Sequence, residues 1–231
     1  MAMSYFSQFA SPYFLGIPLF ALAVILPWLL FPHPPNNWSS NRAFAIQALA
    51  IKNTTKVLVV SLDKPAHKWA LMIIALFTYL ITMNTLGLLP YTFTPTTQLS
   101  LNLGLAFPLW LTTVIIGFFY HTNRSLAHMA PQGTPPYLVP AVILIETISL
   151  FIRPISLAVR LTANLTAGHL LIQLLATAAL KMAMKMSCLG ITMSILAGMS
   201  MAPLILLEIA VAAIQAYVFV LLFALYLQEN V

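Results

Sequence analysis

The chain has 231 residues, of which 61% are hydrophobic and only 6% are charged, and its formal net charge is +6. Soluble globular domains carry about 25% charged residues, so this composition excludes a soluble enzyme or binding module. Apolar runs close to 20 residues long recur, and such runs cross bilayers as helices. The sequence therefore predicts an all-α membrane protein, residues 1–231 forming a single integral membrane domain. The positive charge lies in loops, where it indicates membrane orientation, and no nucleic-acid partner is expected.

Carboxylates are rare in this chain, which makes each one inside an apolar run notable. Asp63, Glu146, Glu208 and Glu229 are the four acidic residues. Because ionisable side chains are costly inside a membrane and are usually functional there, Glu146 and Glu208 are candidate site residues. The single cysteine, Cys188, excludes an internal disulfide framework.

The first part of the chain predicts one upright transmembrane helix followed by a helix at the membrane surface. Residues 12–30 are apolar and end before Pro32-His-Pro-Pro35. Residues 42–62 mix apolar positions with Arg42, Lys52 and Lys56, which is too polar to span and fits an interfacial amphipathic helix. An ordered surface loop is the alternative for this second segment.

The middle of the chain predicts a transmembrane hairpin. Helix 3 covers residues 69–88 and helix 4 covers residues 99–119, with an uncharged turn between them. The polar loop after helix 4 contains His121 and His128. A membrane haem needs paired histidines inside helices, and these lie outside, so no cofactor and no metal is predicted.

The last two apolar segments are too long for upright helices. Residues 138–180 and 187–228 would each extend about 60 Å at 1.5 Å per residue, whereas a bilayer core is about 30 Å thick. Each segment either breaks into two short spans or lies strongly tilted. Because no polar turn interrupts either one, we favour a long, strongly tilted helix 5–helix 6 hairpin that turns at Lys181–Lys185. Bends are expected at Pro154 and Pro203.

An arginine lies in the middle of helix 5. Arg160 cannot lose its proton, and a charge at this depth costs about 2.5–3.5 kcal/mol on insertion scales. It therefore needs a carboxylate partner or a wet cavity. A snorkelling side chain is the alternative, although the nearest chain turns are some twenty residues away. Asn164 and His169 follow on the same helix, and polar residues at this depth usually mark an ion path.

Helical geometry separates these polar residues along and around helix 5. Glu146, Arg160 and Asn164 share one broad face, while His169 points about 180° from Arg160. Glu146 lies about 21 Å before Arg160, and His169 about 13 Å after it. On an antiparallel helix 6, Glu208 and Gln215 share a face and come within reach of this stretch. The result is two groups of titratable residues on opposite sides of a fixed positive charge.

Two stretches carry a resemblance to a known family: Arg160-Leu-Thr-Ala-Asn-Leu-Thr-Ala-Gly-His169 and Leu207-Glu-Ile-Ala-Val-Ala-Ala-Ile-Gln-Ala-Tyr-Val-Phe219. They resemble subunit a of the rotary F-type ATP synthase, of the animal mitochondrial type, in which the histidine lies on helix 5 and the carboxylate on helix 6. The likeness covers nearly the whole chain. Three further stretches support it: Asn84-Thr-Leu-Gly-Leu-Leu-Pro90, Phe93-Thr-Pro-Thr-Thr-Gln-Leu-Ser100 and Ser125-Leu-Ala-His-Met-Ala-Pro-Gln-Gly-Thr134.

The resemblance implies a proton-translocating stator subunit of the mitochondrial inner membrane that has no catalytic activity of its own. Arg160 would face the carboxylate of each c-ring subunit, with Gln215 against it. His169 and Glu208, with Asn164 nearby, would line the inlet from the intermembrane space, and Glu146 the outlet to the matrix.

The resemblance also implies partners: the c-ring, the peripheral-stalk subunit b, other small Fo subunits, and lipid, with cardiolipin as a candidate. Arg153 shares roughly the Arg160 face, which predicts a wider positive surface toward the matrix.

Simpler interpretations of these residues remain open at this stage. Glu146 could favour a helix start through the dipole, His169 could be a hydrogen-bonded core residue, and Glu208 could pair with a lysine. Gln215 could hold two helices together. At the level of the whole protein, the alternatives are an ion channel or secondary transporter subunit, or a structural subunit of a respiratory complex. The sequence has no second copy of the arginine motif, which an inverted-repeat transporter would need.

The distribution of Lys and Arg predicts which side each loop faces. Residues 36–68 and 120–136 are basic and should lie on the matrix side, whereas the uncharged turn at 89–98 should face the intermembrane space. Lys181 and Lys185 fall on the intermembrane-space side, against this rule.

We expect a membrane-impermeant label added to intact mitochondria without outer membranes to reach residues 89–98 and to miss residues 36–68 and 120–136. The basic segments should react only after the inner membrane is permeabilised. Labelling of the basic segments from outside the sealed inner membrane would contradict this orientation.

Overall fold

A computed structural model describes residues 9–11, 13–14, 16–30, 42–60, 64–89, 92–120, 122, 137–184 and 187–230. Within these ranges the chain is almost entirely helical, which confirms the all-α prediction. The helices are α1 Leu19–Leu30, α2 Arg42–Val60, α3 Ala70–Gly87, α4 Leu99–Tyr120, α5 Val139–Ala183 and α6 Cys188–Asn230. Short 3₁₀ helices cover Lys64–Trp69 and Pro95–Thr97. The single integral membrane domain remains a prediction.

The N-terminal helix is shorter than the sequence predicts. Before it, β1 Tyr13–Phe14 pairs antiparallel with β2 Ile17–Pro18. Gly16 makes the turn between them with a φ of 79°, a conformation that glycine adopts without steric cost. Helix α1 therefore starts at Leu19 instead of residue 12. Its 12 residues extend about 18 Å, less than the bilayer core of about 30 Å.

The segment from Arg42 to Val60 is the helix α2, so the alternative of a surface loop is wrong. Leu58 is buried in the core shared with α3, whereas Ile46 and Leu49 are exposed beside the basic residues of this helix. This mixed surface is consistent with the predicted interfacial position, which remains a prediction.

Helices α3 and α4 form the predicted hairpin. The spans His67–Gly87 and Leu99–Phe119 are each long and apolar enough to cross a membrane. The turn between the helices packs tightly against the end of α3. A Cβ added at Gly87 would lie 2.8 Å from Thr94 Cγ2, which leaves no room for a larger residue. The Thr94 and Thr97 hydroxyls lie 3.1 Å apart in a hydrogen bond inside this turn.

Helices α5 and α6 are each continuous, so the alternative of two short spans is wrong. They contain 45 and 43 residues, and Pro154 and Pro203 lie inside them without ending them. Both are long and apolar enough to cross a membrane. Helix α5 continues to Ala183, so the predicted turn at Lys181–Lys185 begins too early, because the backbone hydrogen bonds of the helix continue past Lys181. Residues 185 and 186 lie outside the described part. A length of about 65 Å for each helix makes a strong tilt the physical expectation in a bilayer.

Helix α6 lies at the centre of the structure, in contact with α3, α4 and α5. Small residues occupy the crossing points: Ala158 on α5 and Ala212 and Ala216 on α6 are each 0% exposed. Alanine lets helix backbones approach closely, which matters in lipid because no hydrophobic force drives one helix against another. The two hairpins therefore pack through van der Waals contact along α6.

Two buried asparagines link the α3–α4 hairpin to the long hairpin. Asn84 and Asn102 are each only 1% exposed. Asn84 Nδ2 donates to the carbonyl of Ala212 on α6 at 3.1 Å. Asn102 Nδ2 donates to the carbonyl of Thr96 at 2.7 Å and to Thr162 Oγ1 on α5 at 2.8 Å. Because Thr162 is two residues from Arg160, Asn102 holds the arginine-bearing stretch of α5 against α4.

We expect Asn102→Ala to lower the stability of the assembled protein, because it leaves Thr162 and the Thr96 carbonyl without a buried donor. Such losses cost about 1–3 kcal/mol. The measurement is the midpoint of thermal inactivation in the purified complex. Thr112→Ala is the control, since among the described residues the Thr112 hydroxyl hydrogen-bonds to the Pro108 carbonyl of its own helix. Equal midpoints for both variants would show that the Asn102 link contributes nothing.

Candidate functional site

Helix α5 presents two different faces along the arginine-bearing stretch. One face packs against the rest of the protein through Pro154, Leu157, Ala158, Leu161 and Leu165. The other face is exposed and consists of Ser156, Val159, Arg160, Ala163 and Ala167. Because the buried residues recur every three or four positions, the helical repeat itself turns Arg160 outward.

Arg160 has no hydrogen-bond or ion-pair partner among the described residues of the chain. Its neighbours on the exposed face, Ala163 and Ala167, are small. On α6, Ala210 is exposed as well. Small residues beside a charge leave room for the backbone of another helix to approach closely. The arginine therefore lies on a surface that can accept a helix carrying the opposite charge.

Behind this surface, a histidine and a glutamate meet between α5 and α6. Glu208 is only 6% exposed. His169 Nδ1 lies 3.7 Å from Glu208 Oε1. This distance is longer than a direct hydrogen bond and lies within ion-pair range for a protonated histidine. The carboxylate of Glu208 faces His169, which disfavours the interpretation of Glu208 as a lysine partner.

Gly168 makes this arrangement possible. A Cβ at position 168 would lie 2.7 Å from Glu208 Oε1 and 3.1 Å from Glu208 Cδ. Real Cβ atoms do not approach other atoms this closely, so any larger residue would displace the carboxylate. The glycine before His169 therefore provides the space that Glu208 occupies.

The same contact sets the levels of Gln215 and Arg160. Seven residues beyond Glu208 on α6, Gln215 comes level with Leu161, which is seven residues before Gly168 on the antiparallel α5. Gln215 and Asn164 are both half-buried. Neither makes a side-chain hydrogen bond within the described part of the chain. Their amide groups are thus free to bind water or a partner near Arg160.

Glu146 belongs to a separate cluster nearer the start of α5. Its Oε1 lies 3.4 Å from Nη2 of Arg153, and the Arg153 guanidinium lies 5.1 Å from the ring centre of Tyr226 on α6. The expectation that Arg153 widens the positive surface is wrong, because the Glu146 carboxylate compensates its charge. The helix-dipole interpretation also fails, since Glu146 lies two turns inside α5 and dipole effects are confined to the first turn.

Two side chains near the site were missed in the sequence. Asn102 fixes Thr162, and Gln173 lies one turn after His169 with its Oε1 buried and without a hydrogen-bond partner in the described structure. Each is an amide side chain within an apolar helix, and this pattern is the signal that identifies them in the sequence. Lys181 lies in the last turn of α5, where a cation favours the helix dipole. Lys185 lies outside the described residues.

Comparisons with known proteins agree with this architecture. The family model described as ATP synthase A chain matches residues 13–228. Curated relatives called ATP synthase F(0) complex subunit a include those of Scyliorhinus canicula and Salmo salar, each 58% identical, and that of Struthio camelus, 55% identical. Each alignment covers 231 residues and the full length of both chains. The chain therefore belongs to the ATP synthase A chain family, and is a multi-pass, proton-translocating stator subunit of the Fo complex in the mitochondrial inner membrane.

Proposed function

We propose that Arg160 faces the acidic side chain of a rotating ring of c subunits and separates two aqueous half-channels. His169, Glu208 and Asn164 line the inlet from the intermembrane space, and Glu146 lines the outlet to the matrix. The chain conducts protons and has no catalytic activity alone, so nucleotide chemistry belongs to other subunits of the ATP synthase.

One observation carries this proposal: the arginine is exposed and unpaired, while the titratable pair lies behind it. Arg160 is on the outer face of α5, and His169 with Glu208 is buried between α5 and α6. The two positions differ by nine residues, or about 13 Å along the helix. A proton that reaches His169 and Glu208 therefore has to be carried past Arg160 by a group on another subunit.

The electrostatics favour a carboxylate as the partner of Arg160. A charge at this depth costs about 2.5–3.5 kcal/mol on insertion scales. The Coulomb attraction between Arg160 and a carboxylate 4 Å away is worth about 4 kcal/mol at an effective dielectric constant near 20. The two terms are similar, so the pair can form and separate without trapping the rotor. A proton crossing 100 mV supplies about 2.3 kcal/mol, which is enough to drive the exchange.

Other partners fit the remaining surfaces. The exposed basic residues of α2, Lys52 and Lys56, suit the anionic headgroups of a lipid such as cardiolipin. Exposed apolar side chains on α1, including Trp28, suit subunit b or small Fo subunits. Family membership disfavours the alternatives of an ion channel, a transporter or a respiratory-complex subunit.

The outlet cluster differs in character from the inlet pair. Glu146 lies beside a guanidinium, whereas Glu208 lies beside a histidine. The nearest charged neighbour of each carboxylate is therefore a basic side chain, a guanidinium at the proposed outlet and an imidazole at the proposed inlet.

We expect Arg160→Ala to abolish proton-coupled ATP synthesis while the complex still assembles. Without the arginine, the rotor carboxylate keeps its proton, and protons exchange between the half-channels without net rotation. Arg160→Lys should fail as well, because a lysine head is compact, strongly hydrated and can lose its proton when buried. ATP synthesis and proton conduction in vesicles provide the measurement. Near-normal synthesis with Arg160→Ala would refute the mechanism.

His169→Ala and Glu208→Ala should slow proton entry without abolishing coupling, because water partly replaces a relay group. A reduction by roughly tenfold to a hundredfold is expected, at or below the low end of general acid–base effects. Passive proton conduction under an imposed potential measures it. Unchanged conduction in both variants would remove these residues from the inlet.

Gly168→Ala should leave assembly intact and lower proton conduction. The added Cβ meets the mobile end of Glu208, so the carboxylate moves and the helices need not. The matched control is Gly198→Ala on α6, where a Cβ meets no atom within 4 Å among the described residues. If both alanine variants conduct protons equally well, the position of the Glu208 carboxylate does not control entry.

A further inference from the structure

Three buried polar atoms at the α5–α6 contact lack hydrogen-bond partners among the described residues. They are His169 Nε2, Gln173 Oε1 and Glu208 Oε1. His169 and Gln173 are one turn apart on the same face of α5, and Glu208 Oε1 lies 3.7 Å from the histidine ring. We treat the three residues as one cluster, in which Glu208 is next to the histidine and Gln173 lies about 6 Å nearer to the α5–α6 turn than His169.

The cluster has the hydrogen-bonding pattern of a water site. The glutamine and glutamate oxygens are acceptors, and the histidine nitrogen donates or accepts according to its tautomer. A water molecule can donate to both oxygens and accept from a protonated Nε2, and buried waters typically make about three hydrogen bonds. When the proton sits on Nδ1 instead, Nε2 is an acceptor, and the water can donate to it. Buried polar atoms without protein partners usually mark such a site.

A purely structural role for Gln173 fits less well. A glutamine that holds two helices together bonds its amide to the opposite helix. The oxygen of Gln173 is buried and makes no such bond within the described ranges. By contrast, Thr177 on the next turn satisfies its own hydroxyl at the Leu174 carbonyl, 3.0 Å away.

We propose that Gln173 is a positioning residue of the proton inlet, which holds with His169 and Glu208 the water through which protons reach Glu208. The inference rests on the proposed inlet role of His169 and Glu208. It adds a residue on the intermembrane-space side of that pair. Gln173 does not titrate; its amide oxygen fixes the place of the transferring water.

The test compares two replacements of similar size in the assembled ATP synthase. Gln173→Met keeps the length of the side chain but removes its hydrogen-bonding group, whereas Gln173→Glu keeps an acceptor oxygen. Passive proton conduction is measured in vesicles under an imposed potential. We expect Gln173→Met to conduct about fivefold more slowly, as for the loss of one ordinary hydrogen bond, and Gln173→Glu to conduct near the unmodified rate. Thr177→Val is the control and should conduct normally.

A conduction rate for Gln173→Met equal to that of the unmodified complex would overturn the inference. Equally slow conduction in both Gln173 variants would also overturn it, because only the shape of the glutamine would then matter. His169→Ala and Glu208→Ala are measured in parallel. Slow conduction in these two with normal conduction in Gln173→Met refutes the water site alone, while normal conduction in all refutes the inlet itself.

A cysteine variant covers the case in which Gln173→Met does not assemble. Gln173→Cys is made together with Cys188→Ser, so that a single thiol remains. A small water-soluble thiol reagent added from the intermembrane-space side should block proton conduction in this variant. Conduction that the reagent leaves unchanged would show that water does not reach position 173, and would overturn the inference.

Discussion

The close contact between α5 and α6 at Gly168 fixes where the Glu208 carboxylate lies. Glu208 fits against α5 because position 168 has no Cβ, and this contact marks the register of two antiparallel helices of more than 40 residues each. In that register His169 approaches Glu208, and Gln215 is level with Leu161. A slip of one helical turn would separate these groups by about 5 Å. The absence of a side chain at position 168 therefore leaves room for Glu208 to meet His169.

Lipid surroundings explain why the supporting contacts are polar or very small. Between membrane helices there is no hydrophobic force, so association depends on close packing and interhelical hydrogen bonds. The alanines of α6 permit the packing, and Asn84 and Asn102 supply the hydrogen bonds. Because these bonds end on Ala212 and Thr162, they hold α6 and α5 near the residues that we propose for the proton path. The α3–α4 hairpin thus acts as the scaffold of the long hairpin.

The charged groups of α5 and α6 are arranged in three different environments. Glu146 is paired with Arg153, Glu208 faces a histidine, and Arg160 is exposed without a partner within the described chain. In an apolar medium, a charge next to an opposite charge is tolerated, whereas a charge without such a partner is costly. Of these three groups, the arginine is the one that we propose to pair with a group on another subunit. This difference suits the proposed stator role, in which Arg160 holds a rotor carboxylate for a moment and releases it.

The sequence by itself determined the membrane class, the extents of α3 to α6 to within three residues, and the identity of the lone arginine. These features follow from the length of each apolar run and from the scarcity of charged residues, and both can be read directly from a single sequence. It also allowed the faces of α5 to be assigned, because the helical repeat fixes them. What only the tertiary structure decided is which neighbour covers each face: Glu208 against Gly168 and His169, Asn102 on Thr162, and Glu146 compensating Arg153. A periodic pattern gives the direction of a side chain from its own helix axis, whereas the register between helices depends on atomic contacts far apart in the chain.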